Sequence, residues 1–394
     1  MAYPLRTLAV AALLPALAAS LLDVSYASAT PRLAAGTRLS TIVLPNGSRE
    51  TLQTPTDLQV SLYATGVTNA RFMALGPHGD VFVGTRYNET VSVLLNRKAG
   101  IHATQVVTLL SGLSAPHSVV YRKGLLYVAE EGQVSSWSYN AAAVSVSNQH
   151  VIVSSLPAGG LHFTRTLAFA PDGSFYVSVG SSCNECVDYA DRAVIMHYRS
   201  DGTGGQVYAR GLRNAVGLAV QPGTGRLWAV DNGEDSLGDN APPDELDLIK
   251  QGGNYGWPYC YDNGQPDPSV SSAAGYCAHT INPVVALPAH SAPLGLTFYT
   301  GKQLPARYRG GLFVAYHGST YRSQATGYKV VYIPVQGTHA GTPQDVVTGW
   351  LPAGATSGGA AWGRPVGLLV AADGSLLISD DQAGVVYRLS LAGH

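Results

Sequence analysis

One pattern of hydrophobic and polar positions returns six times along the chain: an alternating apolar segment, a glycine-centred turn and a second alternating segment. It runs through Met73 to Gly84, Ser118 to Ala129, Leu167 to Ser178 and Gly217 to Ala229, then in stretched form through Gly295 to Ala315, and again through Gly367 to Ser379. Successive side chains of a strand point to opposite faces, and glycine reaches the turn conformations other residues resist, so each copy predicts a β-hairpin. The turn glycines stand at 79, 124, 173, 225, 311 and 374, with spacings of 45, 49, 52, 86 and 63 residues. One hairpin per blade-length of chain predicts an all-β fold, a six-bladed β-propeller with inserted loops, as one domain over 30–394. A two-sheet sandwich is the alternative architecture, but it gives no reason to repeat one hairpin six times. The widest gap, which holds Cys260 and Cys277, predicts a loop excursion with a functional role.

Composition agrees with this reading. The 394 residues are 46% hydrophobic and 12% charged, with 45 Gly, 23 Pro and 22 Tyr, which suits a turn-rich globular β chain. A net charge of -1 leaves no basic field for a phosphate backbone, so nucleic acid is not an expected partner.

Residues 1–29 have the form of a secretory signal. Arg6 supplies the positive start, Leu8 to Leu22 is apolar and uncharged, and Ala27-Ser28-Ala29 is a small-residue cleavage site. A membrane anchor is the alternative, although the apolar run is short for a span. The expectation is an exported protein, periplasmic or secreted, with no stable membrane span after cleavage. An oxidising compartment favours disulfides among the four cysteines, and of three connectivities the simplest pairs Cys183 with Cys186 and Cys260 with Cys277, each tying off one loop. Covalent haem attachment would need His where Val187 stands, and zinc would need a second close ligand pair.

A propeller gathers the starts of its innermost strands around a central channel. The residues just before each hairpin are rich in His and Arg: Arg71, His117, His162 to Arg165, Arg213-Asn214, His290 and Arg364. Such placement at one phase of a repeat predicts a shared cationic pocket for an anionic ligand. After Arg213-Asn214 comes an acidic, Gly/Pro-rich loop, Asp231 to Asp235, then Asp239 and Asp244-Glu245, whose crowded oxygens suit a hard cation such as Ca²⁺.

Gly211-Leu-Arg-Asn214, Asp244-Glu-Leu-Asp-Leu-Ile249 and Gly252-Gly-Asn-Tyr-Gly-Trp-Pro258 resemble the soluble quinoprotein glucose/sorbosone dehydrogenases, as does the placement of His162 before the Pro171-Asp-Gly173 turn. The resemblance implies a six-bladed propeller that uses pyrroloquinoline quinone (PQQ) and Ca²⁺, oxidises an aldose or related sugar aldehyde at C1 and passes electrons to an external acceptor. It makes His162 the general base, for which imidazole is suited by its near-neutral pKa. Arg213 and Asn214 match the pair at the quinone face, where Arg213 would stabilise developing charge. Asn232, Gly233, Glu234, Asp244, Glu245 and Tyr255 are the candidate Ca²⁺ residues. Arg364 matches an arginine that pairs with a PQQ carboxylate. His117 stands about where the glucose enzyme has Gln. The family's carboxylate-binding Lys has no evident counterpart, with His317, Arg322 or Lys329 as stand-ins, and His290 completes the cofactor candidates. These departures resemble the sorbosone-type branch. Two other classes share the architecture: a Ca²⁺-dependent lactonase-like hydrolase, and a non-catalytic secreted propeller that binds glycans or proteins.

Overall fold

The computed structural model describes residues 36–96 and 100–393. The export signal expected at 1–29 lies outside the described residues. All six expected hairpins are present, each forming the two inner strands of an antiparallel blade. In blades 1 to 6 the innermost strands are Ala70–Leu75, Ser118–Arg122, Leu167–Phe169, Ala215–Val220, Pro293–Phe298 and Pro365–Val370. The second strands are Val81–Thr85, Leu125–Ala129, Phe175–Val179, Leu227–Asp231, Leu312–Tyr316 and Leu376–Asp380. The innermost strands neighbour one another in a closed circle, which is the six-bladed propeller.

Packing explains the sequence pattern. Apolar clusters fill the wedges between consecutive blades: Phe82 and Val93 meet Leu126 and Val128 between blades 1 and 2, and Trp228 and Val230 meet Leu296 and Phe298 between blades 4 and 5. Both faces of an inner blade strand are covered, so Phe175–Val179 and Leu312–Tyr316 are buried along their whole length. At the axis the strands approach so closely that a Cβ on Gly217 would lie 2.5 Å from Leu294 O and one on Gly367 2.6 Å from Arg71 O. The turns use Asp as well as Gly: Asp172 Oδ1 accepts from Ser174 N (2.9 Å) and Asp373 Oδ1 from Ser375 N (2.9 Å), while Gly173 and Gly374 take positive φ. In the stretched fifth copy the left-handed residue is Gly310 rather than Gly311.

The ring closes with a strand the hairpin pattern does not reveal. Leu58–Thr65 pairs antiparallel with Val385–Leu391 and completes blade 6, so the two ends of the propeller are zipped together. Between the third and outermost strands of blade 4, Asp244–Ile249 and Val285–Leu287, the chain makes the expected excursion. Gly253–Asn254 runs parallel beside Gln206–Arg210 of blade 3, and Trp257 N donates to Gly211 O at 3.1 Å. Disulfides Cys183–Cys186 and Cys260–Cys277 have the local pairing. Among the described residues no helix is long and apolar enough to cross a membrane.

Candidate functional site

Hairpins are antiparallel, so the starts of the innermost strands and the ends of the second strands arrive at the same face of the ring. There a cavity of about 160 Å³ opens, lined by Arg71, Arg86, Leu161, His162, Phe163, Thr164, Asn214, Val216, Leu294 and His317. Val216, Leu294 and Val366 pack together with Phe72 as an apolar plug at the axis. Cationic and amide groups thus stand over an apolar floor, and among the described residues no carboxylate lines the cavity.

His162 belongs to the loop that enters blade 3. Arg165, wholly buried, donates to His162 O (3.0 Å) and Thr164 O (2.9 Å), and Arg192 donates to Gly159 O (2.8 Å), so two guanidinium groups hold this loop by its carbonyls. A Cβ on Gly180 would lie 2.5 Å from His162 Cβ and 3.0 Å from Asn214 Oδ1, so only glycine admits the histidine and the asparagine together. His162 Nδ1 is 2.8 Å from Ser181 Oγ and 3.1 Å from Ser181 O. Ser181 Oγ gives its single proton to Cys183 O at 2.7 Å and the Ser181 carbonyl can only accept, so Nδ1 carries the imidazole proton and Nε2 the lone pair. Burial first, and then the charge of Arg213, push the His162 pKa down to about 3. The imidazole is therefore neutral near pH 7.

Arg213 lies behind the cavity, 4% exposed. It donates from Nε to Asn184 O (2.9 Å), from Nη2 to Asn184 Oδ1 (2.6 Å) and Asp235 Oδ2 (3.0 Å), and from Nη1 to Asn232 O (3.2 Å). Asn184 sits inside the Cys183–Cys186 loop and also donates to Glu234 Oε2 at 3.2 Å. Glu234 is 2% exposed, and its other oxygen, Oε1, has no partner among the described residues. Burial raises its pKa, and the nearby Glu185 adds to the rise. A buried carboxylate oxygen without a donor is costly unless a cation meets it.

Asp381, outside the lining, accepts from the lining residues Arg71, through Nη1 at 2.6 Å, and His317, through Nε2 at 2.9 Å. These pairings hold its carboxyl well below the usual range despite burial. Arg71 Nε donates to His117 Nδ1 at 3.2 Å.

Of the residues singled out in the sequence, His162, Asn214 and His317 line the cavity, and Arg213 stands directly behind it. Asn232, Gly233 and Glu234 are joined to Arg213 through Asn232 O and Asn184. The others have different surroundings. His117 is fully buried and orients Arg71. Arg364 donates to the carbonyls of His317 and Gly318 and so braces the His317 backbone. His290 Nε2 meets Gly238 O at 2.8 Å, and Arg322 binds Ala289 O (3.1 Å) and Asn240 Oδ1 (2.8 Å); both secure the 232–243 loop. Lys329 pairs with Asp345 at 2.7 Å, away from the cavity lining.

The six candidate Ca²⁺ residues do not gather at one point. Both Asp244 oxygens are occupied, Oδ1 by Gly233 N (3.0 Å) and Oδ2 by Ser291 Oγ (3.1 Å) and Ala292 N (2.9 Å). Glu245, next along the strand, faces the other side, where it accepts from Asp262 N at 2.9 Å and has Asp231 and Asp247 as charged neighbours. The Tyr255 hydroxyl is committed to Leu248 O (2.8 Å) and Lys250 N (2.9 Å). Sequence reasoning passed over Arg86, Ser181, Asn184 and Asp381, all of which follow second strands.

The family model described as TrAA12-like matches residues 52–392. An uncharacterized protein of Borreliella burgdorferi is 28% identical over 86% of this chain and 90% of its own length. A pyrroloquinoline quinone-dependent pyranose dehydrogenase of Coprinopsis cinerea is 26% identical over 82% of this chain; the alignment spans 52%, about half, of that longer relative. Among solved structures, the calcium structure of the Trichoderma reesei family AA12 enzyme superposes with a TM-score of 0.74 at 23% identity, covering 86% of this chain and 96% of that one. With a propeller of this topology and a match running from the closing strand to the last blade, the chain belongs to the TrAA12-like family, a family of PQQ-dependent sugar dehydrogenases.

Proposed function

We propose that this protein is an exported quinoprotein that oxidises an aldose or related sugar aldehyde, of glucose or sorbosone type, at C1 with PQQ and Ca²⁺, and delivers the electrons to an external acceptor. The observation that carries this reading is His162: a neutral imidazole in the cavity wall, with Nδ1 committed to Ser181 and the Nε2 lone pair left for a substrate proton. The relatives support the cofactors, since the Coprinopsis protein is PQQ-dependent and the Trichoderma structure is a calcium structure. Two disulfides and the signal-like start support export.

The residues present fit such a group. Cationic and amide side chains around the cavity suit an anionic planar cofactor, with Asn214 and His317 in the wall and Arg213 behind. The partnerless Glu234 Oε1, beside Gly233 and Asn232, suits a Ca²⁺ ion. When bound, PQQ supplies a two-electron acceptor and Ca²⁺ a Lewis acid beside it. His162 Nε2 takes the proton of the sugar's C1 hydroxyl. Burial, and after it the charge of Arg213, keep that imidazole neutral, and Arg213 stabilises negative charge developing at the cofactor side of the cavity. The plug of Val216, Leu294 and Val366 keeps water from the floor.

The test is reconstitution. Adding PQQ and Ca²⁺ to purified protein is expected to give stoichiometric quinone absorbance that an aldose bleaches. Absence of bound quinone at saturating PQQ and Ca²⁺ would reject the reading.

A further inference from the structure

Arg86 is the cation of the cavity that nothing above has used. It follows the second strand of blade 1 and is half-buried. Its guanidinium lies 4.0 Å from the centre of the Tyr87 ring and 5.2 Å from that of Phe163, and its Nε is buried without a hydrogen-bond partner among the described residues. The carboxylate best placed to serve it is already engaged, because Asp381 gives one oxygen to Arg71 and the other to His317. Burial and the nearby Arg71 charge lower its pKa to about 10, so it still carries its charge near neutral pH.

A guanidinium resting against two ring faces, rather than paired with a carboxylate, keeps N–H groups free for a forked contact. Ring faces weakly satisfy a cation but leave its N–H groups unbonded, and a partly desolvated guanidinium without acceptors is expensive. Among the described residues no carboxylate lines the cavity, which puts a charged acceptor for Arg86 on the ligand. A planar, bidentate anion is the chemistry that matches a guanidinium fork.

We propose that Arg86 is a carboxylate-binding residue of the channel, receiving a carboxylate group of the ligand that occupies the cavity. The inference rests on the function proposed above, under which a carboxylate can come from two sources: the cofactor, or a sugar that is itself an acid, such as a uronic acid. Tyr87 and Phe163 serve as positioning residues that hold the guanidinium plane.

The experiment measures binding rather than turnover. Wild type, Arg86→Gln and Arg86→Lys are titrated with PQQ in the presence of Ca²⁺, followed by quinone absorbance, and separately with D-glucuronate and D-glucose by calorimetry; thermal melts confirm that the variants are folded. Loss of a charge-assisted forked contact is expected to weaken the relevant ligand by about 10- to 100-fold in Arg86→Gln, with Arg86→Lys in between. A weakened PQQ titration assigns the contact to the cofactor. An unchanged PQQ titration with glucuronate weakened, and glucose unaffected, assigns it to an acidic sugar. If wild type takes up no PQQ yet binds glucuronate in an Arg86-dependent way, the function proposed above fails and Arg86 keeps its role. If PQQ binds wild type and Arg86→Gln equally and glucuronate shows no dependence on Arg86, the carboxylate site is overturned while the quinoprotein reading stands. Wild type that binds none of the three ligands overturns both.

Discussion

His162 Nδ1 and Ser181 Oγ lie 2.8 Å apart, and the Ser181 hydroxyl proton is already committed to the carbonyl of Cys183. The tautomer of the imidazole is thereby set by a residue two positions ahead of a disulfide. His162→Gln is expected to bind PQQ nearly as well as the parent and to lose on the order of 10² to 10⁴ in kcat, the range for removal of a general base. Ser181→Ala keeps the weaker acceptor, Ser181 O at 3.1 Å, so its loss should be only about tenfold. Steady-state kinetics at saturating PQQ and Ca²⁺ check both; a His162→Gln enzyme with parental kcat would remove the base from this position.

Asn184 carries a second line of control from the same loop. Its carbonyl and side-chain oxygens receive Arg213, while its amide reaches Glu234. Asn184→Ala should therefore lower kcat by about tenfold or more and weaken Ca²⁺ binding at the same time. Replacing Cys183 and Cys186 together by Ser should reproduce that double effect more weakly, whereas the same change at Cys260 and Cys277 should act mainly on thermal stability. Equal effects of the two cysteine pairs on kcat and Tm would contradict a specific link to Arg213.

The inner hairpins were legible because each signals itself locally, through two-sided burial, alternation and an Asp-Gly or Gly turn, as in Pro171 to Ser174. The closing strand Leu58–Thr65 has no such signal, since its partner Val385–Leu391 lies at the other end of the chain. In the site, residues ahead of the innermost strands were readable, and His162 and Asn214 prove to line the cavity. The ends of the second strands reach the same face by simple antiparallel topology, and inspecting them as a set would have found Arg86, Ser181 and Asp381. Phase within the repeat sets the face of the ring but not the distance from its axis. His290 has the right phase, yet it adopts φ 60° and turns its ring to Gly238 O. The alternation of Asp244 and Glu245 likewise sends adjacent carboxylates to opposite sides of one strand, which no count of acidic residues foresees.

Gly180 tests how tightly the base is seated. Gly180→Ala would press a methyl group against His162 Cβ and Asn214 Oδ1. A folded protein with its melting temperature lowered by a few degrees, and kcat reduced by about 10- to 100-fold, is expected, because displacements of an ångström at reacting groups cost that much. Unchanged kinetics would mean that the loop carrying His162 yields without consequence.

The His162 imidazole also has a pH signature. Its folded pKa, about 3, lies below the unfolded value near 6.5, so below pH 6.5 the unfolded chain takes up a proton that the folded chain refuses. Its contribution to stability is complete above about pH 6.5 and is lost as the pH falls from there toward 3. In the apo-protein the His162 ring resonances should hold their neutral, Nδ1-protonated positions from pH 8 to about 5 in NMR spectra. A midpoint near 6.5 for this ring would show that it is not sealed by Arg213 and the surrounding loop.

Glu234 and Asp244 separate metal binding from loop architecture. Glu234 Oε1 is buried without a donor among the described residues, so in the absence of a cation its charge is a liability, and Glu234→Gln should leave apo stability equal to or above that of the parent. Asp244 instead has both oxygens satisfied, by Gly233 N, Ser291 Oγ and Ala292 N, and Asp244→Asn should lower the melting temperature with or without Ca²⁺. A ligand at about 100 times its Kd adds roughly 2.7 kcal/mol, which for a chain of this size raises Tm by roughly 3 to 4 °C. That Ca²⁺-dependent rise should appear in the parent and largely disappear in Glu234→Gln, whereas Asp244→Asn should keep most of it from a lower starting point. Chelation and readdition of Ca²⁺ during the melts provide the control. Should Glu234→Gln retain the full rise, the Glu234 carboxylate is not a ligand, and the nearby carbonyls of Asn232 and Gly233 would have to hold the ion without it.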